Sequence, residues 1–167
     1  MLVCIVRQFY KLNDGMNEAD LNLTPAPTPN PEGSSPFVFG DKAAALSSLR
    51  KLADECAKEN WDGNGAEPIN SMALSNAENF LRVLPVNFPI PEFAVEPDGH
   101  VSLDWIRSRH CLFSLSVGNN HRLAFAWLDD TDQGHGVVRF DGRQVSNRIL
   151  EGIAAVVNYG NASVRAA

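Results

Sequence analysis

The residues with the most chemical potential lie in one run from Glu59 to Pro68, Glu-Asn-Trp-Asp-Gly-Asn-Gly-Ala-Glu-Pro. Asp62 and Glu67 are its carboxylates. With Asp104 as a third acid they would suit a small metal-dependent hydrolase or nuclease, in which acids converge on one divalent ion. The same run also spells a side-chain-braced turn. Gly63 and Gly65 take φ > 0 without steric cost, and Asp62 can hydrogen-bond the backbone one or two residues on. Trp61 is expected to bury its indole in the core beside that turn.

Other reaction chemistries find little support. There is no Gly-x-Ser-x-Gly elbow, no Walker loop and no Gly-x-Gly-x-x-Gly after a strand. His100, His110, His121 and His135 lie at turns or strand ends. No two share the i,i+4 helical spacing of a zinc site and no carboxylate pattern surrounds them, so no metal is expected there. Asp129-Asp130-Thr131-Asp132 lacks the Gly and terminal Glu of a calcium loop and reads as a solvated loop. Arg107, Arg109 and His110, and separately Arg139, Arg143 and Arg148, read as solvated turns rather than phosphate sites. No cofactor is implied.

Composition narrows the class. The 167 residues, 44% hydrophobic and 20% charged, suit one domain plus a tail. A net charge of −6 argues against a chain-wide grip on nucleic acid; it suits a basic protein partner, and mild acidity is also the usual way to stay soluble. Cys4, Cys56 and Cys111 are widely spaced, which excludes a disulfide framework and a Cys-type zinc site. Cys56 and Cys111 read as small core residues. The apolar opening, about five residues, is too short for a signal peptide. No run approaches the ~20 apolar residues of a membrane span. The expectation is a soluble cytoplasmic protein.

The elements that would position these residues follow from periodicity. Residues 1–36, with Pro25, Pro27, Pro29, Pro31 and Pro36, read as a flexible proline-rich lead-in. The domain is expected over residues 37–160, with a frayed tail from 161 to 167. Ala45, Leu46, Leu49, Leu52, Ala53 and Cys56 repeat at three and four, a helix with Asp41 as its N-cap. Asn70 or Ser71 caps a second helix carrying Ala73, Ala77, Phe80, Leu81 and Leu84, with Ile69 and Leu74 as a hydrophobic staple. The period then changes to two through Phe93–Val95, Val101–Trp105, Cys111–Val117 and Leu123–Trp127. A loop from Asp129 to Gly136 leads to a last strand at Val138 and Phe140. A third helix runs near Val145 to Asn158, with Gly152 inside it. The fold class is α+β: an antiparallel five-strand meander with helices packed on one face.

The other face of that meander is expected to carry Ser102, Asp104 and Ile106, then Leu112, Ser114 and Ser116, then Ala124, Ala126 and Leu128. Small, flat and weakly polar, it suits the close approach of a partner or of a second copy; the alternative is that the N-terminal segment or a helix simply covers it.

Three segments together resemble a known set: Glu59 to Pro68, the helix end Ala77-x-x-Phe80-Leu81-x-x-Leu84-Pro85, and Pro97-Asp98-Gly99-x-x-x-Leu103-x-Trp105. They are similar to small bacterial proteins of the "NWDGYGA" type, associated with mobile and phage-derived regions. Here Asn64 stands where that pattern more often has Tyr. The resemblance spans roughly residues 40–128 and carries over no reaction. It implies only a context of defence, toxin–antitoxin or phage modules.

The leading expectation is a non-enzymatic, antitoxin-like or immunity-like accessory factor that occludes a partner protein, such as a basic toxin or nuclease. Docking would use Trp61, Asp62, Gly63, Gly65 and Glu67, the face of Ser102, Asp104, Ser114, Ser116, Ala124 and Ala126, or both. The alternative is the metal-dependent hydrolase or nuclease of Asp62, Glu67 and Asp104.

Overall fold

The computed structural model describes residues 37–130 and 132–158. The expectations for the lead-in and the tail lie outside them, as does Cys4. Three helices and one sheet make up the described part: α1 (Phe37–Glu55), α2 (Ser71–Val83) and α3 (Asn147–Asn158), with β1 (Glu92–Val95), β2 (Val101–Ser108), β3 (Cys111–Val117), β4 (Arg122–Asp129) and β5 (Asp132–Arg139). The strands follow one another in space as in sequence, every neighbouring pair antiparallel. The class is α+β, as the change of period predicts.

Alternation decides which face the helices cover. Val101, Leu103, Trp105, Phe113, Leu115, Val117, Leu123 and Phe125 are all at most 3% exposed and form one apolar surface with Phe80, Leu49 and Ile153. Phe113 stands at the centre, its ring stacked on Phe125 at 5.7 Å and edge-on to Trp105 at 6.0 Å. Gly152 explains itself here. A Cβ at that position would lie 2.3 Å from the Phe113 ring, so the mid-helix glycine lets α3 come down onto the sheet. Cys56 and Cys111 are buried small residues, and burial pushes both thiols up.

Two boundaries differ from expectation. The first helix already runs from Phe37, so Asp41 lies within it rather than capping it. The segment from Asp129 to Gly136, expected as a loop, is mostly strand: Asp129 pairs with Asp132, and Asp130 takes φ 49, a tight hairpin setting. Gly134 and Gly136 mimic a loop in sequence but do a packing job. A Cβ on either would meet the rings of Trp127 and Phe125 at 2.7 and 2.6 Å. The glycines therefore let both aromatics lie across the edge strand.

The helices are tied together by charge as well as by apolar burial. Asn70 caps α2, its Oδ1 accepting from Met72 N at 2.9 Å. At the other end Lys42 Nζ donates to the Arg82 and Leu84 carbonyls, satisfying the helix's last acceptors. Glu78 accepts from Arg50 Nε at 2.6 Å and pairs with Arg82 at 2.7 Å, bridging α1 and α2. The Arg50 hydrogen bond holds the Glu78 carboxyl below its ordinary range. A depressed folded pKa adds stability above the unfolded value, near pH 4.5, and loses it as pH falls through the folded value. Both arginines are about half exposed, so screening limits the gain to about 1 kcal/mol. Denaturant melts of Glu78→Gln against wild type are expected to show that deficit at pH 7. It should close as pH falls from 4.5 through the lowered folded value.

Candidate functional site

The run from Glu59 to Pro68 folds on itself before it touches anything else. Asn60, in the left-handed region at φ 58, accepts from Gly65 N at 2.7 Å and donates its own N–H to Ala66 O at 2.8 Å. The Asp62 carboxylate accepts from Asn64 N at 2.8 Å and from Ala66 N at 3.1 Å. Those two backbone donors hold Asp62 below the usual carboxylate range. Trp61 is half-buried rather than in the core, which corrects the expectation. Its indole N–H donates to Glu67 O at 2.9 Å and braces the loop from within, while the apolar plug is Ala66, 3% exposed. Gly63 and Gly65 take φ 74 and 90, as the turn requires.

This braced loop then docks on the β1–β2 hairpin. Glu67 N donates to Pro97 O at 2.8 Å and Asn70 N to Gly99 O at 2.9 Å. Gly99 sits at φ 77, so close that a Cβ would be 2.6 Å from Pro68 O. The segment from Glu67 to Asn70 thus grips the hairpin at two points. The hairpin also closes on itself, with Glu96 N donating to His100 O at 2.8 Å and Gly99 N to Glu96 O at 2.9 Å.

The gripped turn presents three donors. Ligand atoms of Glu96, Asp98 and His100 all lie within 4.8 Å of one another. His100 Nδ1 is 3.4 Å from Asp98 Oδ2, and the other side of the imidazole lies against Gly118. Glu96 is 9% exposed, and its Oε1 is buried without a hydrogen-bond partner. Burial pushes its carboxyl up, although Ser116 hydrogen-bonds it. The histidine expectation is corrected here, because carboxylates do surround His100. The signal was present as Glu96-Pro97-Asp98-Gly99-His100, an i, i+2, i+4 spacing that a hairpin turn folds together. The helical i,i+4 rule looks past it.

The trio Asp62, Glu67 and Asp104 is not such a group among the described residues. Asp62 is spent on its own turn, Glu67 points to solvent, and Asp104 belongs to a different cluster. Asp104 is 8% exposed, accepts from Ser102 Oγ at 2.9 Å, and accepts from Ser114 Oγ as well.

The small residues of the outer face do not form an open surface: of the two readings, docking and cover, burial favours cover. Ser102, Asp104, Ser114, Ser116 and Ala126 are all 9% exposed or less, Leu112, Ala124 and Leu128 are half-buried, and Ile106 at the end of β2 is exposed. An arginine at Ser114, which is 0% exposed, would break the fold rather than test docking. Burial raises the Asp104 carboxyl, so its ionisation works against folding. The serine hydroxyls can turn to serve an amide. Asp104→Asn is therefore expected to stabilise the protein by about 1 kcal/mol above the raised value. As pH falls to the unfolded value near 3.8, the gain should vanish, which chemical denaturation across pH will read.

The outer edge of β5, unpaired among the described residues, leaves no signal in the residue pattern. Phe140 N donates to His121 O at 2.9 Å, which fixes the alternation of the β4–β5 ladder. Counting back from that pair, Val138, Gly136 and Gly134 bond to β4. Gln133, His135, Val137 and Arg139 therefore turn their N–H and C=O groups outward. All four residues are exposed, and among the described residues no strand pairs with that edge. Proline and lysine, common ways of blunting an edge, are absent from β5. By contrast β1, at the opposite edge, is four residues long with Pro91 just before it and Pro97 two residues after.

No described helix is long and apolar enough to cross a membrane. Compared as a whole, the chain matches no protein-family model, no curated protein and no solved structure.

Proposed function

We propose that this protein is a non-enzymatic accessory factor that binds and occludes another protein, and that the partner adds an extended segment to β5. The observation that carries this reading is the unblunted edge of Gln133, His135, Val137 and Arg139. Main-chain hydrogen bonds along such an edge supply affinity, and the alternating side chains supply selectivity. The edge is polar at both ends. Asp129, Asp130 and Asp132 cluster at the hairpin, while Arg122 and Arg139 face each other at the far end. Like charges opposite one another are unfavourable alone, so an acidic residue of the added segment is favoured there. At longer range the net charge of −6 favours a basic partner. An antitoxin-like or immunity-like role in the cytoplasm is consistent with that charge and with the resemblance of the Glu59 to Pro68 run. The experiment is recovery of a stoichiometric protein by the tagged chain and its loss on Val137→Pro. A homodimer that the same substitution dissolves would replace the foreign partner with a second copy.

A further inference from the structure

We infer that the β1–β2 hairpin is a binding site for one divalent transition-metal ion, held by Glu96, Asp98 and His100. The geometry comes first. One carboxylate oxygen from each acid and one imidazole nitrogen lie within 4.8 Å of each other. Ligands about 2.0–2.2 Å from a common ion are separated by roughly 3–4 Å, and the 3.4 Å between His100 Nδ1 and Asp98 Oδ2 falls in that range.

A second observation is independent of the clustering. Glu96 is nine-tenths buried, yet its Oε1 has no hydrogen-bond partner. Ser116 hydrogen-bonds the Glu96 carboxyl, so the orphan is this one oxygen. A buried carboxylate oxygen left this way is costly, and a cation bound at this turn would offset that cost. The site is also rigid. Glu67 N and Asn70 N grip the backbone of Pro97 and Gly99, and the His100 ring rests against Gly118. Ligand-bearing residues held this way need little reorganisation on binding.

The donor set indicates the ion. Imidazole with two carboxylates suits zinc or manganese, whereas calcium and magnesium prefer oxygen alone. Asp98 is 42% exposed at its side chain and His100 21%, which leaves an entry path and room for solvent ligands. This site is independent of the β5 reading, and neither depends on the other.

The test is calorimetry of the untagged full chain with Zn²⁺ and, separately, with Mn²⁺. One ion per chain is expected, with micromolar or tighter Zn²⁺ affinity. Asp98→Asn and His100→Gln should each weaken it at least tenfold, and Asp132→Asn, an exposed acid elsewhere, should leave it unchanged. Mn²⁺ should broaden the amide resonances of Gly99 and His100 before those of other residues. Asp98 reaches solvent, so its variant keeps the fold, which circular dichroism checks. Absence of binding at 1 mM of either ion overturns the site. So does binding that folded Asp98→Asn and His100→Gln retain in full.

Discussion

Gly99→Ala is expected to lower the folding free energy by about 3 kcal/mol, far more than the same change at Gly63. Both glycines sit at positive φ, 77 and 74, so both substitutions carry a backbone cost of about 1–2 kcal/mol. At Gly63 nothing lies within 4 Å of the new methyl group, and the cost stops there. At Gly99 the methyl would sit 2.6 Å from Pro68 O, a main-chain atom that moves only with its loop. Relieving that overlap pulls apart the hydrogen bonds from Asn70 N to Gly99 O and from Glu67 N to Pro97 O. Each is worth about 1 kcal/mol. Thermal melts of the two variants are expected to differ by several degrees. Equal losses would mean that the loop from Glu59 to Pro68 does not grip the hairpin.

Val137→Pro is expected to abolish partner binding, by a hundredfold or more, while the domain stays folded. The argument rests on the parity of the ladder. Val137 turns its N–H outward, so proline there removes a donor that only an added strand would use. One residue on, Val138 donates inward to β4, and proline there should cost about 3 kcal/mol or more in stability. Opposite outcomes from adjacent valines distinguish edge recognition from general damage to the strand. Urea titration reads the stability of each variant, and co-purification reads the binding.

Much of this architecture is legible in the residues themselves. The three-and-four repeat of Ala45, Leu49 and Ala53, the Asn70 cap and the alternation from Val101 to Trp127 each follow from a local rule that the packing reinforces. Errors arise where a residue serves a distant neighbour. Gly134 and Gly136 read as loop residues because their reason, the rings of Trp127 and Phe125, lies across the sheet. Trp61 reads as core because a large aromatic usually is, yet its indole is committed to Glu67 O within its own loop. Ser102, Ser114 and Ser116 read as an exposed face because alternation tells which side of a sheet a residue takes, not what buries it.

The candidate sites follow the same division. Glu96, Asp98 and His100 stand close in sequence, but their convergence depends on the positive φ of Gly99, which compresses the hairpin. The edge of β5, unpaired among the described residues, is a property of strand order, and strand order enters only when the sheet is assembled.

The most direct test of the partner-binding account is affinity capture from the native host with the tagged chain and with its Val137→Pro variant, side by side. The account predicts one stoichiometric protein recovered by the wild-type chain and absent with the folded variant. Recovery of the same protein by both, or of no stoichiometric protein by the wild-type chain, would contradict it.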